Sequence, residues 1–243
     1  MHLSDTMRYE QINTPKFHPL KENIDKFTHY DGFGGDAGHR DAITSHSTRR
    51  NPGRMVRLKQ KGRCECKLYC GCGSSCKNVR AFEICTKNNC INRGKCANNW
   101  CNPKNQHLHT CIPKQQGDIE GEGLYTFEPI PSGAVVGQYV GVVKEWSPQK
   151  KPPSSYCVQM SHNDKMYVID AEAMGNNTRY LNHSCDPNCE LVQRTVNGKE
   201  TIWVKTVRAV PAKVFLTIKY HEEVSGFFAV CKCGAKNCCD RNS

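Results

Sequence analysis

The chain has 243 residues, a formal net charge of +11 and 17 cysteines. This length suits one catalytic domain with small flanking modules and excludes a large multidomain assembly. No stretch approaches the roughly 18 apolar residues of a membrane span and no signal-peptide core follows the N-terminus, so we expect an intracellular protein with no membrane partner.

The cysteines favour metal binding over disulfide bonds. Ten of the 17 lie within residues 64–111, and a reducing compartment disfavours structural disulfides. The Cys-x-Cys and Cys-x3-Cys spacings suit tetrahedral zinc. A secreted disulfide scaffold is the alternative, and an odd cysteine count fits it less well.

Residues 1–62 have few apolar side chains and no sustained hydrophobic period, which predicts a largely disordered or loosely attached leader. Residues 1–63 contain 12 Lys or Arg against 7 Asp or Glu. The basic end, Arg49 to Arg63, can lie along phosphate and makes DNA a candidate partner. A solvated linker explains the same charges equally well.

Residues 63–111 form a cysteine-rich module. The intervening Gly, Asn, Lys and Arg residues cannot build an apolar core, so metal must supply the folding free energy, on the order of 10 kcal/mol for a structural zinc site. The irregular cysteine spacing after Cys76 favours one cluster with a bridging thiolate over two separate fingers.

From residue 118 the composition is that of a β domain. Residues 134–143 predict a bent, buried strand, and residues 166–171, 201–209 and 214–220 predict further short strands. Asn197-Gly198 marks a hairpin turn before the strand at 201–209. Because no long helical pattern separates the strands, we expect an all-β or mainly β body and no parallel βαβ sheet.

Several short motifs carry chemistry. Gly121-Glu122-Gly123, taken alone, is most simply a turn, and Tyr156, after the polar insert 150–155, is by default a core residue. The sequence GNNTRYLNHSCDPNCE covers residues 175–190. Tyr220 and then the triplet Cys231-x-Cys233-x4-Cys238 follow it, and this triplet lacks a fourth zinc ligand that Cys185 can supply.

In this order the motifs resemble those of SET-domain protein lysine methyltransferases, over roughly residues 64–239. Residues 175–188 match the family's G-N-x-x-R-[FY]-x-N-H-S-C-x-P-N signature at every fixed position. The resemblance implies the mainly β SET fold of short sheets with few helices, flanked by zinc modules. It divides the chain into a leader (1–62), an AWS-like pre-SET module (63–111), a SET domain (118–222) and a post-SET module (229–243).

The resemblance also implies a site. It assigns catalytic roles to Tyr220 and Tyr156, with S-adenosylmethionine held by Gly121, Glu122, Gly123, Tyr156, Arg179, Asn182 and His183. It implies about three structural zinc ions, with ligands drawn from Cys64, Cys66, Cys70, Cys72, Cys76, Cys85, Cys90, Cys96, Cys185, Cys231, Cys233 and Cys238. Cys70 and Cys72 compete for one place, and the family's Cys-x3-Cys step favours Cys72. The remaining thiols are expected to be ordinary: Cys101, Cys111, Cys157, Cys189 and Cys239.

The implied function is methyl transfer from S-adenosylmethionine to a lysine amine of a histone tail, by a nuclear, monomeric enzyme acting on nucleosomes. By the order of its modules the chain is most similar to enzymes that modify lysine-36 of histone H3. Two positions depart from the family: Glu122 replaces a bulky or basic residue, and Ile218 replaces Phe or Tyr, which favours di- or trimethylation. The alternative is a zinc-stabilised chromatin or DNA-binding module that has lost catalysis.

Overall fold

The computed structural model describes residues 18–19, 63–69, 71–117, 121–220 and 231–240. The basic stretch from Arg49 and the cysteine at position 70 therefore lie outside the described residues, apart from Arg63. Within the described part the chain is built of short strands, with a single four-residue α-helix, α1 (Lys77–Arg80). None of the described helices is long and apolar enough to cross a membrane.

The twelve strands of the described residues are as follows. They are β1 (His18–Pro19), β2 (Cys111–Gly117), β3 (Gly121–Thr126), β4 (Val135–Tyr139), β5 (Val142–Glu145), β6 (Cys157–His162), β7 (Lys165–Asp170), β8 (Met174–Gly175), β9 (Asn182–His183), β10 (Cys189–Val196), β11 (Lys199–Thr206) and β12 (Val214–Ile218). Short 3-10 helices cover Pro103–Asn105, Leu108–Thr110 and Asn177–Tyr180.

These strands form four small sheets, with orders β1-β8, β10-β11-β4, β2-β3-β12-β9 and β5-β7-β6. The body is therefore mainly β, as the sequence predicts. In the four-stranded sheet β12 pairs antiparallel with β3 and parallel with β9. This pairing places the Gly-x-Gly motif, the Asn-His pair and the strand leading to Tyr220 in one sheet.

The predicted strand 134–143 is two strands, β4 and β5, which belong to different sheets. The chain bends between them at Gly141, where a Cβ atom would lie 2.5 Å from the carbonyl oxygen of Asp170. Only glycine allows two backbones to approach so closely. The bend was therefore predicted, but the change of sheet was not.

The predicted turn at Asn197-Gly198 is confirmed. Both residues have positive φ angles, 49° and 77°, as a type I′ hairpin turn requires. The turn joins β11 to β10, and residue Val196 pairs with Lys199. The mixed sequence of β10 had not indicated a strand.

The cysteine-rich module packs directly against this hairpin. The Ile84 amide donates to the Thr195 carbonyl at 2.9 Å, and the Trp100 ring meets the fully buried Trp203 ring edge to face at 5.9 Å. An edge-to-face aromatic pair adds about 0.5–1.5 kcal/mol beyond the area it buries. The module and the β body thus share a hydrophobic cluster.

Candidate functional site

A cavity of about 280 Å³ opens between strand β6 and the end of β12. Its wall includes the predicted residues Tyr156, Arg179 and Tyr220, and the apolar side chains of Leu181 and Ile218. The wall residues come from six strands, from the 3-10 helix at 177–180 and from the segments beside them. Folding thus brings together side chains that the sequence separates by more than 60 positions.

Tyr220 lies two residues after β12 and is fixed at both ends. Its hydroxyl donates to the Leu181 carbonyl at 2.7 Å, and its backbone amide donates to Nδ1 of His183 at 3.0 Å. Burial, and then the neighbouring Tyr156, raise the pKa of Tyr220 to about 12. The phenol is therefore neutral at physiological pH, and its oxygen keeps lone pairs with which to accept a hydrogen bond.

Arg179 braces the cavity wall. Its guanidinium lies 3.9 Å from the centre of the Tyr156 ring, and its Nε and NH2 groups donate to the carbonyls of Ala171 and Glu172 at 2.8 and 3.2 Å. The hydroxyl of Tyr139 supports the same wall by donating to the Tyr156 carbonyl at 2.7 Å. The sequence leaves open whether Arg179 touches a cofactor or braces its loop. These contacts brace the wall, and cofactor contact by Arg179 stays a prediction.

The Gly121-Glu122-Gly123 motif begins strand β3 and is not an isolated turn. A Cβ atom on Gly123 would clash with the Gln116 side chain and lie 2.8 Å from the Phe215 ring, whereas a Cβ atom on Gly121 would have no atom of the described residues within 4 Å. The side-chain amide of Asn182 donates to the Glu122 carbonyl at 3.1 Å. The two predicted cofactor segments are thus held together, with free space beside the first glycine.

His183 connects the end of β12 to a cysteine. Because its Nδ1 accepts from the Tyr220 amide, a neutral ring carries its proton on Nε2, and Nε2 lies 3.3 Å from the Cys185 sulfur. Burial, and then the Lys219 ammonium, lower the pKa of His183, which favours this neutral form. The ring is therefore a hydrogen-bond donor towards Cys185.

The N-terminal cysteine cluster has the geometry of a metal site. Cys64, Cys72, Cys76 and Cys85 form one group of four sulfurs within 4.8 Å of one another, and Cys72, Cys85, Cys90 and Cys96 form a second. Neighbouring sulfurs lie 3.7–4.0 Å apart. Four sulfurs around zinc at about 2.3 Å are about 3.8 Å apart. The cluster can thus hold zinc, and its two groups share thiols as the irregular spacing predicts.

Burial makes thiolates costly in this cluster unless a cation accompanies them. It raises the pKa of the Cys72 and Cys85 thiols, and neighbouring cysteine sulfurs raise that of Cys72 further. A divalent cation offsets this cost because it binds the thiolates directly. Cys66 packs against the cluster but belongs to neither group of four.

The C-terminal cysteines meet Cys185 as the sequence predicts, but in two overlapping groups. One contains His183, Cys185, Cys231 and Cys233, and the other contains Cys185, Cys231, Cys238 and Cys239. The four predicted ligands do not form a single group, and Cys239, expected to be an ordinary thiol, lies among them. Its position next to Cys238 was the signal in the sequence.

Part of the cavity wall carries no signal in the sequence. Tyr139, Met160 and Leu181 line the cavity, but in the sequence they look like ordinary core residues of strands and of a loop. No motif marks them, because only the packing of separate sheets brings them to the cavity.

Residues 121–221 match the family model of the SET domain. Human "Histone-lysine N-methyltransferase, H3 lysine-36 specific" is 32% identical over 195 residues, which cover 74% of this chain and 7% of that protein. Human "Histone-lysine N-methyltransferase SETD2" is 33% identical over 197 residues, covering 71% and 7%. "Histone-lysine N-methyltransferase ASHH1" of Arabidopsis thaliana is 32% identical over 190 residues, covering 72% and 37%.

The chain thus spans less than a tenth of the length of these two human relatives and just over a third of the plant relative. The match of residues 121–221 coincides with the part of the chain that carries the cavity and Tyr220. Clusters of cysteines able to hold zinc lie on both sides of that part. The chain therefore belongs to the SET-domain family.

Proposed function

We propose that this chain transfers methyl groups from S-adenosylmethionine to a lysine side chain of a histone. The observation that carries the proposal is the position of Tyr220. Its ring lines the cavity, while its backbone amide is bound to His183 of the Asn-His-Ser-Cys tract. Catalytic and cofactor motifs of the family signature thus meet at one residue.

The first task of such a site is to hold an uncharged lysine amine. With a pKa of about 10.4 in water, deprotonating lysine at pH 7 costs about 4–5 kcal/mol. Among the described residues that line the cavity, the charged ones are Arg179 and Lys219, and both are cationic. Their like charge and the apolar wall lower the pKa of an inserted lysine, which reduces this cost.

The second task is to orient the amine. Tyr220 donates its own proton to the Leu181 carbonyl, so its oxygen is left to accept a hydrogen bond from the amine. Because burial keeps the phenol neutral, Tyr220 acts by positioning the nucleophile rather than by removing its proton. Holding a nucleophile in line in this way lowers the barrier to group transfer by a large part.

The residues of the Gly-x-Gly and Asn-His segments fit a bound S-adenosylmethionine. When bound, this cofactor supplies a methyl group on a positively charged sulfur. We assign its binding to Gly121, Glu122, Gly123, Asn182 and His183, together with Tyr156, which lines the cavity. The Arg179 guanidinium stacks on the Tyr156 ring and supports it.

We further propose that the cysteine clusters hold about three zinc ions, two before the SET domain and one at the C-terminal end. The spacing of the sulfurs supports a tetrahedral metal ion bound by thiolates, which zinc suits. The C-terminal ion would fix residues 231–240 against Cys185, which His183 links to Tyr220. Its role is to hold the end of the chain over the cofactor segments.

The substrate assignment rests on the relatives. Both human relatives are named as histone-lysine N-methyltransferases, and one of them is named as specific for lysine-36 of histone H3. We propose the same lysine in a nucleosome as the substrate here. We also propose that the chain acts as a monomer in the nucleus. We also propose that the basic leader contacts DNA. Arg49 and its neighbours lie outside the described residues.

The test compares two tyrosine variants. Tyr220→Phe should abolish methyl incorporation into recombinant nucleosomes, while calorimetry still detects S-adenosylmethionine binding. Tyr125→Phe, at a buried ring on the other side of the four-stranded sheet, should retain activity. Undiminished transfer by Tyr220→Phe would refute the assignment, and no cofactor binding by the unaltered chain would favour a binding module that has lost catalysis.

A further inference from the structure

The C-terminal end gathers more sulfur donors than one tetrahedral ion can bind. Five cysteines contribute to the two overlapping groups: Cys185, Cys231, Cys233, Cys238 and Cys239. A structural zinc ion takes four ligands. One thiol of the five is therefore surplus at any moment.

Cys239 has the geometry of a ligand. Its sulfur lies 3.7 Å from that of Cys185, close to the spacing of about 3.8 Å expected for two ligands of one zinc ion. With Cys185, Cys231 and Cys238 it completes a group of four sulfurs that lie within 4.8 Å of one another. Among the described residues, this is the one group at the C-terminal end made of four thiols.

Cys233 has a competing position. Its group includes Cys185 and Cys231, but its fourth member is His183, whose Nδ1 accepts from the Tyr220 amide. This group therefore contains three thiols, one fewer than the group with Cys239. The Cys233 sulfur still accepts a hydrogen bond from the Cys185 amide at 3.4 Å, which keeps it beside the site.

We propose that Cys239 is an alternative ligand of the C-terminal zinc ion and exchanges with Cys233 for one coordination position. Cys185, Cys231 and Cys238 remain bound in both states. The incoming thiol releases a proton as its sulfur binds zinc, and the departing thiolate takes one up, so the charge of the site is unchanged. The half-exposed Cys233 and the exposed Cys239 can both reach solvent when unbound.

This inference rests on the proposed zinc site, and zinc content tests it without any measurement of methyl transfer. Plasma mass spectrometry would count zinc per chain in Cys233→Ser, in Cys239→Ser and in the double variant, with Cys231→Ser as the reference for a lost site. Both single variants should keep the zinc content of the unaltered chain. The double variant and Cys231→Ser should each hold one zinc ion fewer. If Cys233→Ser loses as much zinc as Cys231→Ser, Cys239 is no substitute and the proposal fails.

Alkylation of the unaltered, zinc-loaded chain gives a second measurement that needs no variant to fold. A short pulse of iodoacetamide followed by peptide mass spectrometry should divide the label between Cys233 and Cys239. Label on Cys239 alone would overturn the exchange. Rapid label on all five cysteines, with no zinc at this end, would overturn the zinc site itself as well.

Discussion

Replacing Arg179 with lysine separates bracing of the cavity wall from direct cofactor binding. Lysine keeps the positive charge but loses the planar group that stacks on Tyr156 and the second donor to the carbonyls of Ala171 and Glu172. A hydrogen bond from a charged group is worth about 1.5–3 kcal/mol when buried, and the bond to Glu172 is exposed, so we assign it less than 1 kcal/mol. The cation–π contact adds about 0.5–1 kcal/mol.

We therefore expect Arg179→Lys to lower the free energy of unfolding by about 1–2 kcal/mol. With a denaturant slope of about 2 kcal/mol per molar, the midpoint in urea falls by about 0.5–1 M. Fluorescence of the fully buried Trp203 reports the transition, in protein saturated with zinc. Arg80→Lys, at an exposed position at the end of α1, is the control and should change the midpoint little.

A double-mutant cycle with Tyr156→Leu isolates the stacking contact. The coupling free energy between the two positions should be about 0.5–1 kcal/mol. Affinity for S-adenosylmethionine, measured by calorimetry, should fall less than threefold in Arg179→Lys. An unchanged urea midpoint combined with a large loss of cofactor affinity would refute the bracing role and make Arg179 a cofactor ligand.

Three further predictions follow from the packing and the charges. Trp203→Ala should destabilise the chain by about 3–5 kcal/mol, because it empties the cluster shared with Trp100, and an unchanged thermal midpoint would contradict this. Burial raises the pKa of Asp170, but the Lys144 ammonium and hydrogen bonds outweigh it and hold that pKa below its usual value. Its carboxylate thus stabilises the fold above about pH 4 and loses this effect as the pH falls through its folded pKa. In Asp170→Asn the urea midpoint should therefore depend less on pH in this range than it does in the unaltered chain. Ile218→Tyr should shift the products towards monomethyl-lysine in mass spectra, since the larger side chain fills the cavity beside the amine, and an unchanged product ratio would argue against it.

The sequence predicted most where local chemistry was decisive. Asn197-Gly198 specifies its turn because both residues accept positive φ angles. The spacing of Cys231, Cys233 and Cys238 required a distant fourth sulfur, and Cys185 does lie beside Cys231, 3.9 Å away between sulfurs. In the first case two neighbouring residues determine the structure, and in the second the incomplete ligand set of a short motif indicates its distant partner.

Tertiary contacts determined what the sequence did not predict. The break between β4 and β5 depends on Gly141 meeting the carbonyl of Asp170 from another strand. The Gly121–Gly123 motif looks like a turn until β2 and β12 pair with its strand on both sides. The residues of the cavity wall were not predicted for the same reason, because they share a surface only after separate sheets have packed.

The proposed activity is best tested by locating the methylated lysine on a nucleosome. The chain, loaded with zinc, would be incubated with S-adenosylmethionine and recombinant nucleosomes, and tandem mass spectrometry would locate any methyl group. We expect methylation at lysine-36 of histone H3 and none on nucleosomes in which that lysine is replaced by arginine. Methylation confined to another lysine would contradict the substrate assignment, and the absence of methyl transfer to any histone, with the cofactor bound, would contradict the proposed activity itself.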